Sequence, residues 1–186
     1  MAEIIFGIDH GNGNMKGETS SFPCGIVRYT AQPGRFMNED ILEYEGAYYT
    51  LSETKMPFKA DKTVDDDYFI LTLFTLVQEA RKKNINLTGK DVVLGVGLPP
   101  ADFGQQAVGF KQYFIDHSRH GISFRMNDKP VSFYLKDVFV SPQNFAAVMC
   151  FKASLLKKYR TVNCIDIGDG TVDLFSDSKW ENQIYR

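Results

Sequence analysis

The sequence predicts an α/β chain built on a mixed sheet. Three observations predict it. Two apolar β-type runs, Glu3–Asp9 and Val162–Ile167, each end in a turn rich in Gly and Asp and then resume as another strand. Asp91–Gly97 is a continuous apolar and β-branched run, the pattern of a strand buried on both faces. Helix-period segments stand between these strands, so part of the sheet is parallel and crossed by helices.

Taken in order, Glu3–Asp9 reads as a strand and Met15–Ser20 as its hairpin partner across the Gly11/Gly13 turn. Phe22–Thr30 adds a third strand, and 31–40 is loop. Ile41–Tyr44 and Tyr48–Ser52 form a hairpin with Glu45-Gly46 at its turn. A loop follows over 53–64. Asp65-Asp66-Asp67 opens a helix, because acidic groups suit an N-cap and first turn. Phe69, Ile70, Leu73, Phe74, Leu76, Val77 and Ala80 give that helix a wide apolar stripe. Arg81-Lys82-Lys83 reads as its solvated basic end, and Asn84 stops it.

Asp91–Gly97 ends at Leu98-Pro99-Pro100. Gln105–His117 is a helix carrying Val108, Tyr113, Phe114 and Ile115. Ile122–Met126 and Val131–Val140 form a hairpin around Asn127-Asp128. Ser141-Pro142-Gln143 is a break. A helix then runs from Asn144 to about Lys158, capped by Asn144 or Ser141, and forms a crossover connection. Val162–Ile167 and Thr171–Ser176 are the last hairpin.

Composition narrows the function classes. The chain is 44% hydrophobic with 15 Phe and 9 Tyr, enough for a real core. A net charge of −2 gives no electrostatic reason to bind nucleic acid or an anionic membrane. No apolar run approaches the roughly 20 residues that span a bilayer, and the first residues lack the basic region of a signal peptide. Cys24, Cys150 and Cys164 are odd in number and widely spaced, so they read as buried thiols of a reducing, cytoplasmic setting.

The chemistry concentrates in the two turns. In Asp9-x-Gly11-x-Gly13-x-x-Lys16, glycines that permit positive φ and lack Cβ atoms let phosphate oxygens approach the backbone. Lys16 can neutralise phosphate charge, and Asp9 can hold a hydrated Mg²⁺. A strand follows this turn, not a helix, so it is neither a Walker A loop nor a dinucleotide fingerprint. Asp166-x-Gly168-Asp169-Gly170-Thr171 resembles it, with Asp173 on the face of Thr171. Gln143, where a strand gives way to a helix, can orient an attacking water through its amide. His10 fills the first turn or contacts phosphate. His117 and His120 read as surface residues, and Tyr44, Tyr48 and Tyr49 as sheet packing.

With these residues in place, the chain resembles the N-terminal half of actin-like ATPases, and most of all the plasmid-segregation actins (the ParM/StbA group) of bacteria. Asp9–Lys16 is similar to the first phosphate loop. Asp91–Pro99 is similar to the strand ending in Leu-Pro, and Phe133–Gln143 to the segment that brings in the water-positioning residue. Asn144–Tyr159 is similar to the helix between the two large domains, and Ile165–Leu174 to the second phosphate loop.

The resemblance implies an actin-like (ribonuclease H-like) fold with a mixed sheet, truncated before most of the second domain. Residues 1–160 would be the N-terminal domain, with a small subdomain insertion over roughly 31–64. Residues 161–186 would be the first hairpin of the second domain, whose remainder is absent. Gly11, Asn12, Gly13, Asn14 and Lys16 would contact phosphates of ATP or GTP from one side. Gly168, Asp169, Gly170 and Thr171 would do so from the other. Asp9 and Asp166 would organise Mg²⁺ through its waters, and Gln143 would hold the attacking water.

Full-length members would assemble into filaments and reach DNA only through an adaptor protein. This shorter chain would be inactive by itself and dimeric through its C-terminal hairpin, since a lone two-stranded hairpin is marginal in water. Two other readings stay open. One is a non-hydrolysing interaction module of the same fold. The other is a small-molecule kinase or chaperone-type ATPase of the superfamily.

Overall fold

The computed structural model describes residues 3–34, 39–168, 172–178 and 182–185. In chain order the first strands are β1 (Ile4–His10), β2 (Asn14–Lys16), β3 (Ser21–Pro23), β4 (Ile26–Tyr29), β5 (Ile41–Tyr44) and β6 (Ala47–Leu51). Helix α1 (Asp67–Lys82), β7 (Lys90–Leu98), α2 (Pro100–His117), β8 (Ile122–Met126) and β9 (Lys129–Pro142) follow. Helix α3 (Gln143–Lys158) leads to β10 (Thr161–Ile167), β11 (Val172–Ser178) and β12 (Asn182–Tyr185).

Nine strands form one sheet in the order β3-β2-β1-β7-β9-β8-β5-β6-β4. Its centre is parallel, β1 with β7 and β7 with β9, and its flanks are antiparallel. That is the mixed sheet expected. Strand β7 is buried along most of its length because it lies between two parallel neighbours under helices. A bulge between Val92 and Val93 sets Lys136 outside the ladder. The hairpins β5–β6 and β8–β9 turn at Glu45-Gly46 and Asn127-Asp128, all four at positive φ, which matches the twist of the flanking strands.

Several expectations change. Phe22–Thr30 is two strands: β3 pairs with β2, whereas β4 pairs with β6 at the far edge of the sheet. Helix α2 begins at Pro100, since a proline at the first helical position gives up an amide that has no partner anyway. Its buried face is set by Phe110, Tyr113 and Phe114, and Val108 is exposed. Helix α3 passes from one sheet to another and does not return to a parallel neighbour, so it is not a same-sheet crossover. It starts at Gln143, with Pro142 as N-cap. The C-terminal sheet has three strands, with β12 beside β11, and not the two of a lone hairpin.

Helix α1 carries the core. It is buried on every side from Tyr68 to Val77, well beyond a stripe. Its Thr72 and Thr75 hydroxyls donate to the carbonyls of Tyr68 and Leu71, which satisfies them inside an apolar setting. The acidic triplet does not cap through Asp66. The Tyr113 hydroxyl instead accepts from the Phe69 amide and donates to the Asp65 carbonyl. Asp66 meets His117, which also stacks on Phe69 and is only partly exposed, unlike the surface residue expected. The basic end is tied down as well. Arg81 pairs with Asp40, Lys82 donates to the Thr19 carbonyl, and Lys83 pairs with Glu18. Of the cysteines only Cys24 is buried, Cys150 being exposed and Cys164 intermediate. Tyr44 and Tyr49 pack in the sheet as expected.

Candidate functional site

Period-two alternation sorts the end of β1. Phe6, Ile8 and His10 face the helices and are buried, so Asp9 faces the other way. Asp9 and Lys16 are direct partners in the β1–β2 hairpin, with Lys16 Nζ 3.4 Å from Asp9 Oδ2. Between them Gly11-Asn12-Gly13 makes the turn. Gly11 has no positive φ. It is required because a Cβ there would lie 2.7 Å from the Asn14 carbonyl oxygen. Cys24 holds the turn from behind, its thiol donating to Gly11 O at 3.0 Å and its amide to Gly13 O at 3.0 Å. With both carbonyls engaged, the turn has amides to offer, the polarity an anion needs.

The parallel pairing β1–β7–β9 brings Gln143 to this turn. Gln143 follows β9 directly and opens α3, and its Nε2 donates to Asp9 Oδ1. Gly97 of β7 makes room: a Cβ there would sit 2.7 Å from Gln143 Cγ. One cavity of about 350 Å³ is lined by Asp9, the turn from Gly11 to Asn14, Lys16 and Gln143. Asp166, Gly168 and Asp173 line it from β10 and the start of β11. The two Asp-Gly turns, at opposite ends of the sequence, therefore face one space. Asp169, Gly170 and Thr171 lie outside the described residues.

The charges are unbalanced in an informative way. Burial raises the Asp9 carboxyl above the usual carboxylate range. Lys16 opposes that rise and the negative charge of Asp166 adds to it. Asp166 and Asp173 sit directly opposite each other in the β10–β11 register, an unfavourable placement for like charges. Among the described residues no three His, Cys, Asp or Glu side chains are grouped to cage a metal by themselves. Carboxylates that crowd one cavity without closing a cage fit a hydrated Mg²⁺, which keeps waters and takes ligand oxygens.

His10 is not a phosphate contact through its side chain. It is fully buried, with Nε2 2.8 Å from Thr72 Oγ1 and its ring edge-on to Phe110. Since the Thr72 hydroxyl already donates to Tyr68 O, His10 donates from Nε2 and Nδ1 carries the lone pair. Burial, with the nearby Lys62 charge, lowers its pKa to about 3, so it is neutral.

Sequence reasoning missed Lys62. It belongs to the 53–64 loop, where no periodicity marks any residue. Its Nζ donates to Asn12 Oδ1 at 2.7 Å and it lines the same cavity. Only the packing of that loop against the first turn places it.

A mixed sheet that carries a glycine turn after its first strand, with a helix-start glutamine beside it, defines an actin-fold chain. The chain belongs to the family described as actin like proteins N terminal domain, matched over residues 7–145. No curated protein sequence matches it. It is similar to the AlfA filament from B. subtilis plasmid pLS32, with a TM-score of 0.72, 16% identity, and coverage of 97% of this chain and 68% of that one. A second AlfA filament structure is bound to AMPPNP. The apo pSK41 ParM protein gives a TM-score of 0.73 at 14% identity, covering 98% of this chain and 64% of that one. The archaeal actin homologue Ta0583 gives 0.76 at 16%, covering 97% and 59%, and is also represented by a complex with ADP. At these identities the likeness establishes the fold. The chain spans about 58–70% of the length of these structures. Among the described residues no helix is long and apolar enough to cross a membrane.

Proposed function

We propose that this chain is the nucleotide-binding half of an actin-like, filament-forming ATPase that serves plasmid or DNA segregation. The observation that carries the reading is one cavity lined together by the Asp9–Lys16 turn, Gln143 and Asp166. Residues 1–160 form the N-terminal domain, with 31–64 in its small subdomain, and 161–186 begin the second domain.

Nucleotide phosphates lie along the Gly11–Asn14 turn and against Gly168, Asp169, Gly170 and Thr171, with Lys16 offsetting charge at the mouth. Asp9 and Asp166 would hold Mg²⁺ through its waters, and the ion would supply neutralisation of phosphate charge. Gln143 donates to Asp9, which fixes its amide plane and leaves its Oε1 to accept a hydrogen bond from the attacking water and so orient it. Hydrolysis then rests on positioning and electrostatics, with no covalent intermediate. The AMPPNP and ADP complexes of the fold's relatives support the nucleotide class.

The filament structures among those relatives support self-association. The exposed apolar face of β10–β11, formed by Ile165, Ile167, Val172 and Leu174, supports pairing of this chain through its C-terminal sheet. DNA is reached through an adaptor protein, since the net charge of −2 gives no basic footprint.

The test is binding of AMPPNP and ADP to this chain with and without Mg²⁺, followed by light scattering of the longest natural form. Nucleotide binding with triphosphate-dependent polymer is expected. Binding without polymer would favour a kinase of the same superfamily, and no binding would refute the nucleotide reading.

A further inference from the structure

Lys62 is a buried cation for which the assigned chemistry has no use. It is 3% exposed, yet among the described residues it makes no ion pair. Its partners are neutral: Asn12 Oδ1 at 2.7 Å and the Tyr68 hydroxyl at 3.3 Å, with the Tyr68 ring 4.6 Å below the ammonium. Burial lowers its pKa to about 8. The Asp9 and Asp102 charges offset that burial only in part and from a distance, so an ammonium held here without a contacting carboxylate favours an anion that can reach it.

The place is specific. Asn12 is the residue between the two glycines of the first turn, and Lys62 and Asn12 line the same cavity. Lysine has three protons, and two acceptors are in place, so one proton is left for a ligand. The two lysines of the cavity also differ in depth. The Lys16 side chain is 56% exposed and paired with Asp9, so it marks the open end, and Lys62 marks the closed end. The cavity of about 350 Å³ has room for a phosphate chain that enters past Lys16 and ends at Lys62. The phosphate that reaches furthest in is the terminal one.

We propose that Lys62 is the ligand of the terminal phosphate of a nucleoside triphosphate, and that through it the chain distinguishes tri- from diphosphate. The inference rests on the nucleotide reading above and adds a specificity-determining residue to it. In the alternative, Lys62 only staples its loop to the first turn.

The experiment measures binding of AMPPNP, ADP, inorganic tripolyphosphate and pyrophosphate to the wild-type chain, Lys62→Gln, Lys62→Met and Lys16→Met. Glutamine keeps hydrogen-bonding capacity toward Asn12 and Tyr68 without the charge, so it guards against loss of fold. Lys62→Gln and Lys62→Met are expected to weaken AMPPNP and tripolyphosphate about tenfold or more, the size of one charge-assisted contact, and to leave ADP and pyrophosphate within about twofold. Lys16→Met is expected to weaken all four. The ligand-free melting temperature of Lys62→Met, which keeps the bulk but none of the hydrogen bonds, should match or exceed that of wild type, whereas a staple would lower it. Equal weakening of tri- and diphosphates, or of none, would overturn the proposal and leave the nucleotide reading standing. A wild-type chain that binds none of the four would overturn both.

Discussion

The Gln143 side chain donates to the Asp9 carboxylate, joining the first residue of α3 to the end of β1. The two residues are 134 positions apart. They meet because β1, β7 and β9 lie side by side and parallel, so β1 and β9 end at the same edge of the sheet. Gly97 of β7 completes the arrangement, because any side chain there would enter the space of Gln143.

Gly97→Ala should therefore mimic loss of Gln143. The new methyl displaces the glutamine and leaves the phosphate turn untouched. Hydrolysis should fall by about 10²-fold, the cost of misplacing a positioned group by an ångström, with nucleotide affinity little changed. Single-turnover hydrolysis and equilibrium binding on the longest natural form, compared with Gln143→Ala, check it. A variant with wild-type turnover would show that Gln143 has no part in the chemistry.

The crowding of Asp9, Asp166 and Asp173 predicts a divalent-ion requirement. Mg²⁺ should tighten ADP binding, a chelator should reverse that, and Asp166→Asn should reduce the gain by about tenfold, the worth of one partly screened charge contact. Calorimetric titration with ADP, with and without Mg²⁺, reads it. Equal Mg²⁺ dependence in variant and wild type would remove Asp166 from the metal's surroundings.

His10 sets an acid limit on stability. Its folded pKa of about 3 lies below the ordinary value of 6.5, so the folded chain binds fewer protons than the unfolded chain between those values. The stability is fully present above pH 6.5 and is lost as pH falls through the window, by about 2 kcal/mol at pH 5. His10→Gln, which can still donate to Thr72, should flatten the curve between pH 6.5 and 5. Denaturant melts across that range decide it, and an unchanged pH slope would assign the acid sensitivity elsewhere.

Glu79 locks the β2–β3 turn to the core. Its Oε1 accepts from Ser20 Oγ at 2.6 Å, Thr19 N at 2.9 Å and Thr19 Oγ1 at 3.0 Å, deep under the β2–β3 turn. Burial alone would raise its pKa, but those donors outweigh it and hold the carboxyl below its usual range. Glu79→Ala strands the donors and should destabilise the chain by about 3 kcal/mol. Thermal melts would show it, and a loss under about 0.5 kcal/mol, ordinary for a surface site, would contradict the assignment.

The chain's own pattern determined much of this protein. Period-two and continuous apolar runs wrote the strands. The Glu45-Gly46 and Asn127-Asp128 turns fixed two hairpins through their tolerance of positive φ. The recurrence of an Asp-Gly turn pointed to paired half-sites before any geometry was known. What the tertiary structure alone decided lay between distant segments. The side of the sheet that received His10 followed from how α1 and α2 packed, and it removed an imidazole that local spacing had placed in the turn. The β4 strand found its partner at the far edge because β6 offered a free ladder there, which composition does not encode. Lys62 became part of the cavity because an irregular loop folded over Asn12, and a loop without periodicity carries no signal of where its lysine will end. Local sequence specifies backbone conformation through φ/ψ and burial period, whereas the meeting of charges across the fold is a property of packing.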